Sequence, residues 1–172
     1  MIIRSATDSD ISEVAAIKVE SWRHAYAGLV PAAVLDALTA QEVREQWLGT
    51  GGADFASCVL VAERGGDILG YAMFGAVHEA AAGYEGQLYA IYLRPAVMRG
   101  GIGSALFRAA SARLGAQGHA NFLLWVFEAN TVARRFYERQ GGALIPGARV
   151  VMEIGGAHLP EVAYGFVTAS AV

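Results

Sequence analysis

Gln87-Leu88-Tyr89-Ala90-Ile91-Tyr92-Leu93-Arg94-Pro95, running on through Ala96-Val97 into Met98-Arg99-Gly100-Gly101-Ile102-Gly103-Ser104-Ala105-Leu106, is the stretch that decides how this chain folds. Its first part is apolar and rich in aromatic and β-branched residues until Pro95 stops it, and its last part opens a helix after a glycine turn. Such a turn sets the unpaired N–H groups and partial positive charge of a helix N-terminus beside backbone that, lacking Cβ atoms, a phosphate can approach closely. It reads either as an anion-binding loop or as a plain strand-to-helix connection. A P-loop needs Lys and then Ser or Thr after the last glycine, and a dinucleotide fingerprint needs Gly or Ala where Leu106 stands, so neither pattern fits.

Working outward, residues 2–4 predict a short strand, and Thr7-Asp8-Ser9-Asp10 supply side chains able to cap a first helix over about 9–26. Ile11, Val14, Ala15, Ile17, Val19 and Trp22 carry its helical spacing. Gly28 and Pro31 break it, and residues 32–38 and 41–48 predict a helical insert before the loop Gly49-Thr50-Gly51-Gly52. Stretches 56–63, 68–77 and 85–93 predict an antiparallel meander, turned at Arg64-Gly65-Gly66-Asp67 and at Ala80-Ala81-Ala82-Gly83. A helix over 101–114 can lay Leu106, Phe107, Ala109, Ala110 and Leu114 on a sheet, and 122–127 returns as a strand. Asn130 then caps a helix to about 140, Gly141-Gly142 ends it, and 148–154 with 161–167 form a last hairpin around Gly155-Gly156. No repeat, low-complexity tract or linker divides the chain, which points to one mixed α/β domain over residues 1–172.

A second informative segment is Trp125-Val126-Phe127-Glu128-Ala129-Asn130-Thr131-Val132-Ala133-Arg134-Arg135-Phe136-Tyr137-Glu138-Arg139-Gln140-Gly141. With the first, it resembles the GNAT superfamily of N-acetyltransferases, whose central motif is an apolar strand, a Pro, and Arg/Gln-x-x-Gly-x-Gly/Ala opening a helix, followed later by a strand, an Asn-capped helix with Phe-Tyr, and a closing glycine. Gly101-Ile102-Gly103 takes the paired-glycine positions, while Met98 stands where the motif has Arg or Gln and Arg99 comes one residue later. The resemblance implies the GNAT fold, a mixed, largely antiparallel central sheet flanked by helices, and acetyl-CoA as cosubstrate. It implies that Met98, Arg99, Gly100, Gly101, Ile102, Gly103 and Ser104 hold the pyrophosphate, and that the strands on either side of that helix splay apart. Pantetheine would lie between them against Ile91, Tyr92 and Leu93, with Ile91 and Leu93 offering main-chain groups. Asn130 would bond the pantetheine arm beside Phe136, and the Tyr137 hydroxyl would protonate the departing thiolate. The structural alternative is that Asn130 only caps a helix and Tyr137 only packs.

The same resemblance implies direct attack by an amine in a ternary complex, which requires the amine to lose a proton. Many relatives have Glu near the start of the strand before the Pro, where this chain has Gln87. Glu85, on the same strand face, is the nearest carboxylate, and a water chain is the other route. Gln87, Trp22 and Tyr26 are the acceptor-side candidates; Trp22 and Tyr26 lie one helical turn apart and either wall a pocket or anchor the insert. Glu153 and Tyr164 belong to a hairpin that in relatives closes the acceptor site. The acceptor is expected to be the amine of a small molecule or peptide. A CoA-binding regulatory or sensor domain is the rival reading, prompted by Met98 and Gln87.

Composition narrows the partners. The chain of 172 residues is 55% hydrophobic, and its 13 Lys and Arg against 16 Asp and Glu give a net charge of -3, which argues against a nucleic-acid partner. Cys58, the one cysteine, lies in an apolar run and reads as a buried small hydrophobe with no disulfide. His24, His78, His119 and His158 lack metal-ligand spacing, so no metal is expected. No apolar run reaches the ~18 residues of a membrane span, and the first residues lack a signal-peptide pattern, which predicts a cytoplasmic protein. The family resemblance implies a homodimer.

Overall fold

The computed structural model describes residues 1–49, 55–77 and 83–168. Strands β1 (Ile2–Ser5), β2 (Val59–Arg64), β3 (Asp67–Ala76), β4 (Gly86–Leu93), β5 (Asn121–Phe127), β6 (Ala143–Ile154) and β7 (Ala157–Val167) make one sheet in the order β1-β2-β3-β4-β5-β7-β6. The helices are α1 (Ile11–Ala25), α2 (Ala32–Ala37), α3 (Ala40–Gly49), α4 (Phe55–Cys58), α5 (Ile102–Ala116) and α6 (Thr131–Arg139). Neighbouring strands are antiparallel except β4 and β5, whose parallel pairing requires a crossover, and α5 supplies it. No helix among the described residues is long and apolar enough to cross a membrane.

The central strands are buried on both faces. Leu60 and Ala62 of β2 join Phe74, Leu88 and Phe122 under Leu106, Phe107, Ala110 and Leu114 of α5, while Val59 and Val61 join Tyr71 under Val14 and Ile17 of α1. Each large apolar side chain removed from water in this way contributes roughly 1.5–3 kcal/mol before conformational entropy is counted. At the N-terminus, Asp10 ends a 3-10 turn (Asp8–Asp10); its carboxylate accepts from the Thr7 backbone N–H at 2.7 Å and from Arg4 at 2.7 Å. Arg4 also pairs with Glu63 at 2.7 Å, tying β1, the turn and β2 together.

One irregularity positions everything that follows. The β3–β4 ladder pairs Met73 with Ala90 and Phe74 with Leu88, so Tyr89 is the extra residue of a β-bulge. The bulge resets the alternation of β4: Leu88, Ile91 and Leu93 pack on the α5 side, whereas Ala90 and Tyr92 pack on the α1 side. It also bends the strand. β4 pairs with β5 only at Gly86–Phe122 and Gln87–Leu123, and from Leu88 onward the two strands part company.

Three expectations need correcting. The stretch 56–63 is not all strand: residues 55–58 form the helical turn α4, because the apolar run Cys58–Ala62 carries no period that separates helix from strand. Cys58 is therefore half-buried in that turn, its thiol 3.6 Å from the Phe55 carbonyl, and not a strand core residue. The last hairpin is also longer than 148–154 and 161–167, with β6 starting at Ala143. Its pairing breaks between Leu144 and Arg149, where Pro146 lacks an N–H and Gly147 takes φ 77°. Thr50, Gly51, Gly52, His78 and Ala80, Ala81 and Ala82 lie outside the described residues.

Candidate active site

Beyond Gln87 and Leu123 the ladder between β4 and β5 stops, and the two strands leave an opening in the sheet. On the α5 side its walls are backbone. Arg94 N–H donates to the Leu69 carbonyl at 2.9 Å, so by the alternation of antiparallel pairs Tyr92 exchanges its hydrogen bonds with β3, while Ile91 and Leu93 turn their N–H and C=O groups into the opening. The Leu93 carbonyl is already taken by the Ser21 hydroxyl at 2.6 Å, which leaves its N–H and both groups of Ile91 facing the gap. Arg94 fixes this end of β4 to α1 through Glu13 at 2.9 Å and Glu20 at 2.6 Å.

Beyond Pro95 the chain reaches α5 through Arg99 at φ 65° and Gly101 at φ 79°. Few non-glycine residues adopt the Arg99 conformation, and a turn of this kind can aim successive backbone amides into one concavity. None of the N–H groups from Gly100 to Ser104 has a hydrogen-bond partner among the described residues. Met98 is half-buried and the Arg99 side chain is exposed at the rim, while the Ser104 hydroxyl accepts from Gln140 at 3.1 Å. The Phe136 ring lies against Gly103, where a Cβ would sit 3.5 Å from it, which seats α6 beside the helix N-terminus. Asn130 caps α6: its Oδ1 accepts from the Ala133 N–H at 3.1 Å, and among the described residues its amide nitrogen has no acceptor. Burial and, secondarily, the neighbouring Tyr92 push the Tyr137 phenol above its ordinary pKa, so it stays protonated at neutral pH.

The α1 side of the opening is aromatic. Trp22 and Tyr26 meet edge to face at 5.0 Å, Tyr26 meets Phe127 at 5.1 Å, and the Tyr26 and Tyr92 hydroxyls stand 3.4 Å apart. Burial holds both phenols above the ordinary value. The Trp22 indole nitrogen lies near enough to Tyr92 to favour its ionised form, yet it is buried without a hydrogen bond of proper geometry. Glu161 of β7 is half-buried on this side, and burial raises its carboxyl above the usual carboxylate range.

The sequence model of the acetyltransferase (GNAT) family matches residues 19–142. An uncharacterized N-acetyltransferase, YuaI of Bacillus subtilis (strain 168), is 31% identical over 170 residues, covering 99% of this chain and 95% of that protein. The chain belongs to the GNAT family of acetyltransferases. Among solved structures, a ribosomal-protein-alanine N-acetyltransferase from Brucella melitensis shares the fold of this GNAT chain with a TM-score of 0.74 at 23% identity, over 97% of this chain and 99% of the other. YncA from Salmonella typhimurium, a putative acetyltransferase solved with acetyl-CoA, does so with a TM-score of 0.69 at 19% identity, over 100% and 96%.

Within this GNAT acetyltransferase the structure brings Ile91, Leu93, Phe136 and Tyr137 to the α5 side beside the loop from Met98 to Ser104, with Asn130 at the start of α6, and Trp22, Tyr26 and Tyr92 to the other side. Tyr92 thus has its side chain on the aromatic side and its main chain committed to β3. Glu85 does not join them. Its exposed carboxylate accepts from the Ala120 N–H at 2.8 Å, clamping the closed end of the β4–β5 pair where the Glu85 N–H also donates to Asn121 Oδ1 at 2.9 Å. Gln87 sits at the last paired position, at the foot of the opening. Tyr164 is buried under α6, where it donates to Glu138 at 2.7 Å and accepts from Arg134 at 3.1 Å, and Glu153 is exposed at the hairpin end opposite His158. The residue that sequence reasoning passed over is Glu161, whose setting in Leu159-Pro160-Glu161-Val162 reads as an ordinary strand start.

Proposed function

We propose that this protein is an N-acetyltransferase that moves the acetyl group of acetyl-CoA to a primary amine of a small molecule or peptide by direct attack in a ternary complex. The observation that carries the reading is the β4–β5 opening, with free main-chain groups of Ile91 and Leu93 on one edge and unpaired amides from Gly100 to Ser104 at its mouth. These residues fit a pyrophosphate joined to an extended amide-bearing arm: the amides and dipole of α5 take the anion, and Ile91 and Leu93 take the arm as an added strand. Acetyl-CoA, when bound, supplies the acetyl group as an activated thioester.

The chain's own contributions follow from where its groups stand. Asn130 caps α6 through its Oδ1 and keeps its amide N–H groups as donors for the arm. Tyr137, kept neutral by burial, is the proton donor for the thiolate that leaves. The main-chain N–H groups at the opening are positioned to stabilise negative charge on the thioester oxygen. A location in the cytoplasm and a homodimeric state belong to the same reading.

Calorimetric titration with acetyl-CoA, followed in the same sample by thiol release against a panel of amines, tests it. Binding with thiol release is expected; failure to bind any CoA species overturns the donor assignment.

A further inference from the structure

On the aromatic side of the opening stands a carboxylate with no partner of its own. Glu161 lies opposite Phe127 of β5 and Val150 of β6. Because Val162, Tyr164 and Phe166 of β7 pack on the α5 side, alternation turns Glu161 to the α1 side, where Leu159 packs with Val30, Leu35, Trp22 and Tyr26. Among the described residues no ion pair or hydrogen bond reaches its side chain. The titratable groups that face it are Tyr26 from α1 and Tyr92 from β4, with Tyr137 from α6 beyond them; β5 presents Phe127 and β6 presents Val150.

A half-buried carboxylate without a counter-charge destabilises the chain that carries it. A ligand that supplies the missing counter-charge would complete this side of the gap. The ligand must carry positive charge for Glu161 and be received by aromatic faces, which is the description of an ammonium group.

We propose that Glu161 receives the ammonium group of the acyl acceptor among Trp22, Tyr26, Tyr92 and Phe127 and takes its proton, making it the base of the transfer. The proposal rests on the acetyltransferase reading above. The ammonium gives one proton to Glu161, and the free amine nitrogen forms a bond to the thioester carbon. The carbon–sulfur bond breaks, the sulfur takes a proton from Tyr137, and the nitrogen loses its second proton to water, which restores Tyr137. Glu161 releases its proton to solvent, so each turnover yields amide, thiol and one proton. Burial of Glu161 raises its proton affinity toward neutrality, which suits a base. An acceptor bearing a carboxylate on the amine carbon would set that charge against Glu161, so the favoured class is alkylamines and peptide N-termini and not free amino acids.

The test begins without catalysis. In protein carrying 13C-labelled Glu, the Glu161 carboxyl resonance is followed while phenethylammonium or zwitterionic phenylalanine is added. A shift with the first and none with the second is expected. No shift with phenethylammonium overturns the proposal, and equal shifts overturn the acceptor class.

The second test is Glu161→Gln with phenethylamine as acceptor. We expect kcat/KM to fall about 10²-fold and the acid limb of its pH profile to disappear, with acetyl-CoA affinity unchanged. A folded pKa raised above the unfolded one stabilises the chain below the unfolded value and loses that contribution as pH rises through the folded value. Glu161→Gln therefore raises Tm at pH 7, while a merely structural residue would lower Tm and activity together. An unchanged pH profile, or a lowered Tm, overturns the base. Loss of acetyl-CoA binding by the unaltered protein would instead overturn the donor assignment and leave the resonance titration standing.

Discussion

A phenol that burial keeps protonated is useful only where something nearby needs a proton, and under the proposed function Tyr137 stands where a thiolate departs. Replacing it with Phe keeps the ring packed beside Phe136, whose centroid lies 5.1 Å away, and removes only the hydroxyl. We expect kcat to fall on the order of 10²-fold with acetyl-CoA affinity within about twofold, read by thiol release and calorimetry. Unaltered turnover would remove the acid role. Asp10 shows the opposite electrostatics. Arg4 first, and the Thr7 N–H and hydroxyl after it, outweigh desolvation and lower its pKa from 3.8 to about 2. A lowered carboxyl stabilises the fold above its unfolded pKa and loses that contribution as pH falls through about 2. Asp10→Asn should cost on the order of 1–2 kcal/mol at pH 7, allowing for the partial exposure of Arg4, and its melting curve should converge with that of the parent as pH drops from about 4 to about 2.

At the scale of the element, α6 separates two roles that Asn130 combines. Its Oδ1 caps the helix, while its amide nitrogen is the group assigned to the cosubstrate. Asn130→Ala should cost about 1 kcal/mol in urea unfolding and weaken acetyl-CoA binding as well. Asn130→Asp retains the cap acceptor and lacks the donor, so it should keep stability and lose affinity; equal affinity would leave Asn130 a cap alone. This helix was legible in the sequence because Asn130 and Gly141-Gly142 bracket it with local chemistry, and the glycine turn before α5 was legible for the same reason. The bulge at Tyr89 was not. Tyr89-Ala90-Ile91-Tyr92 is one apolar run, and which residue leaves the ladder is decided by Met73 and Phe74 across the sheet. Glu161 escaped notice on similar grounds, since nothing next to it in the chain reveals that Phe127 and Tyr26 close over that position.

Across the whole molecule, the order β1-β2-β3-β4-β5-β7-β6 sets one parallel pair inside an antiparallel sheet, and that pair parts without resuming. Ile91 and Leu93 pack on one face of the sheet and Trp22, Tyr26 and Tyr92 on the other, so under the proposed function the two substrates would approach from two directions without crossing. The position of that gap depends on a count. Tyr89 is one residue more than the β3 partner requires, and with it removed, Leu88 and Ala90 become neighbours in a regular ladder, which keeps Ile91 and Leu93 on the α5 side but takes away the bend and draws β4 back onto β5. Deleting Tyr89 should abolish acetyl-CoA binding in calorimetry, while Tyr89→Ala, which keeps the count, should retain it; equal affinities would show that the bulge does not hold the strands apart. Insertions and deletions in β4 are then a different kind of event from substitutions. Side chains of this strand can be exchanged one at a time with the gap kept, whereas one lost residue takes away the bend, so the gap depends on the number of residues between Gly86 and Leu93 more than on their identity.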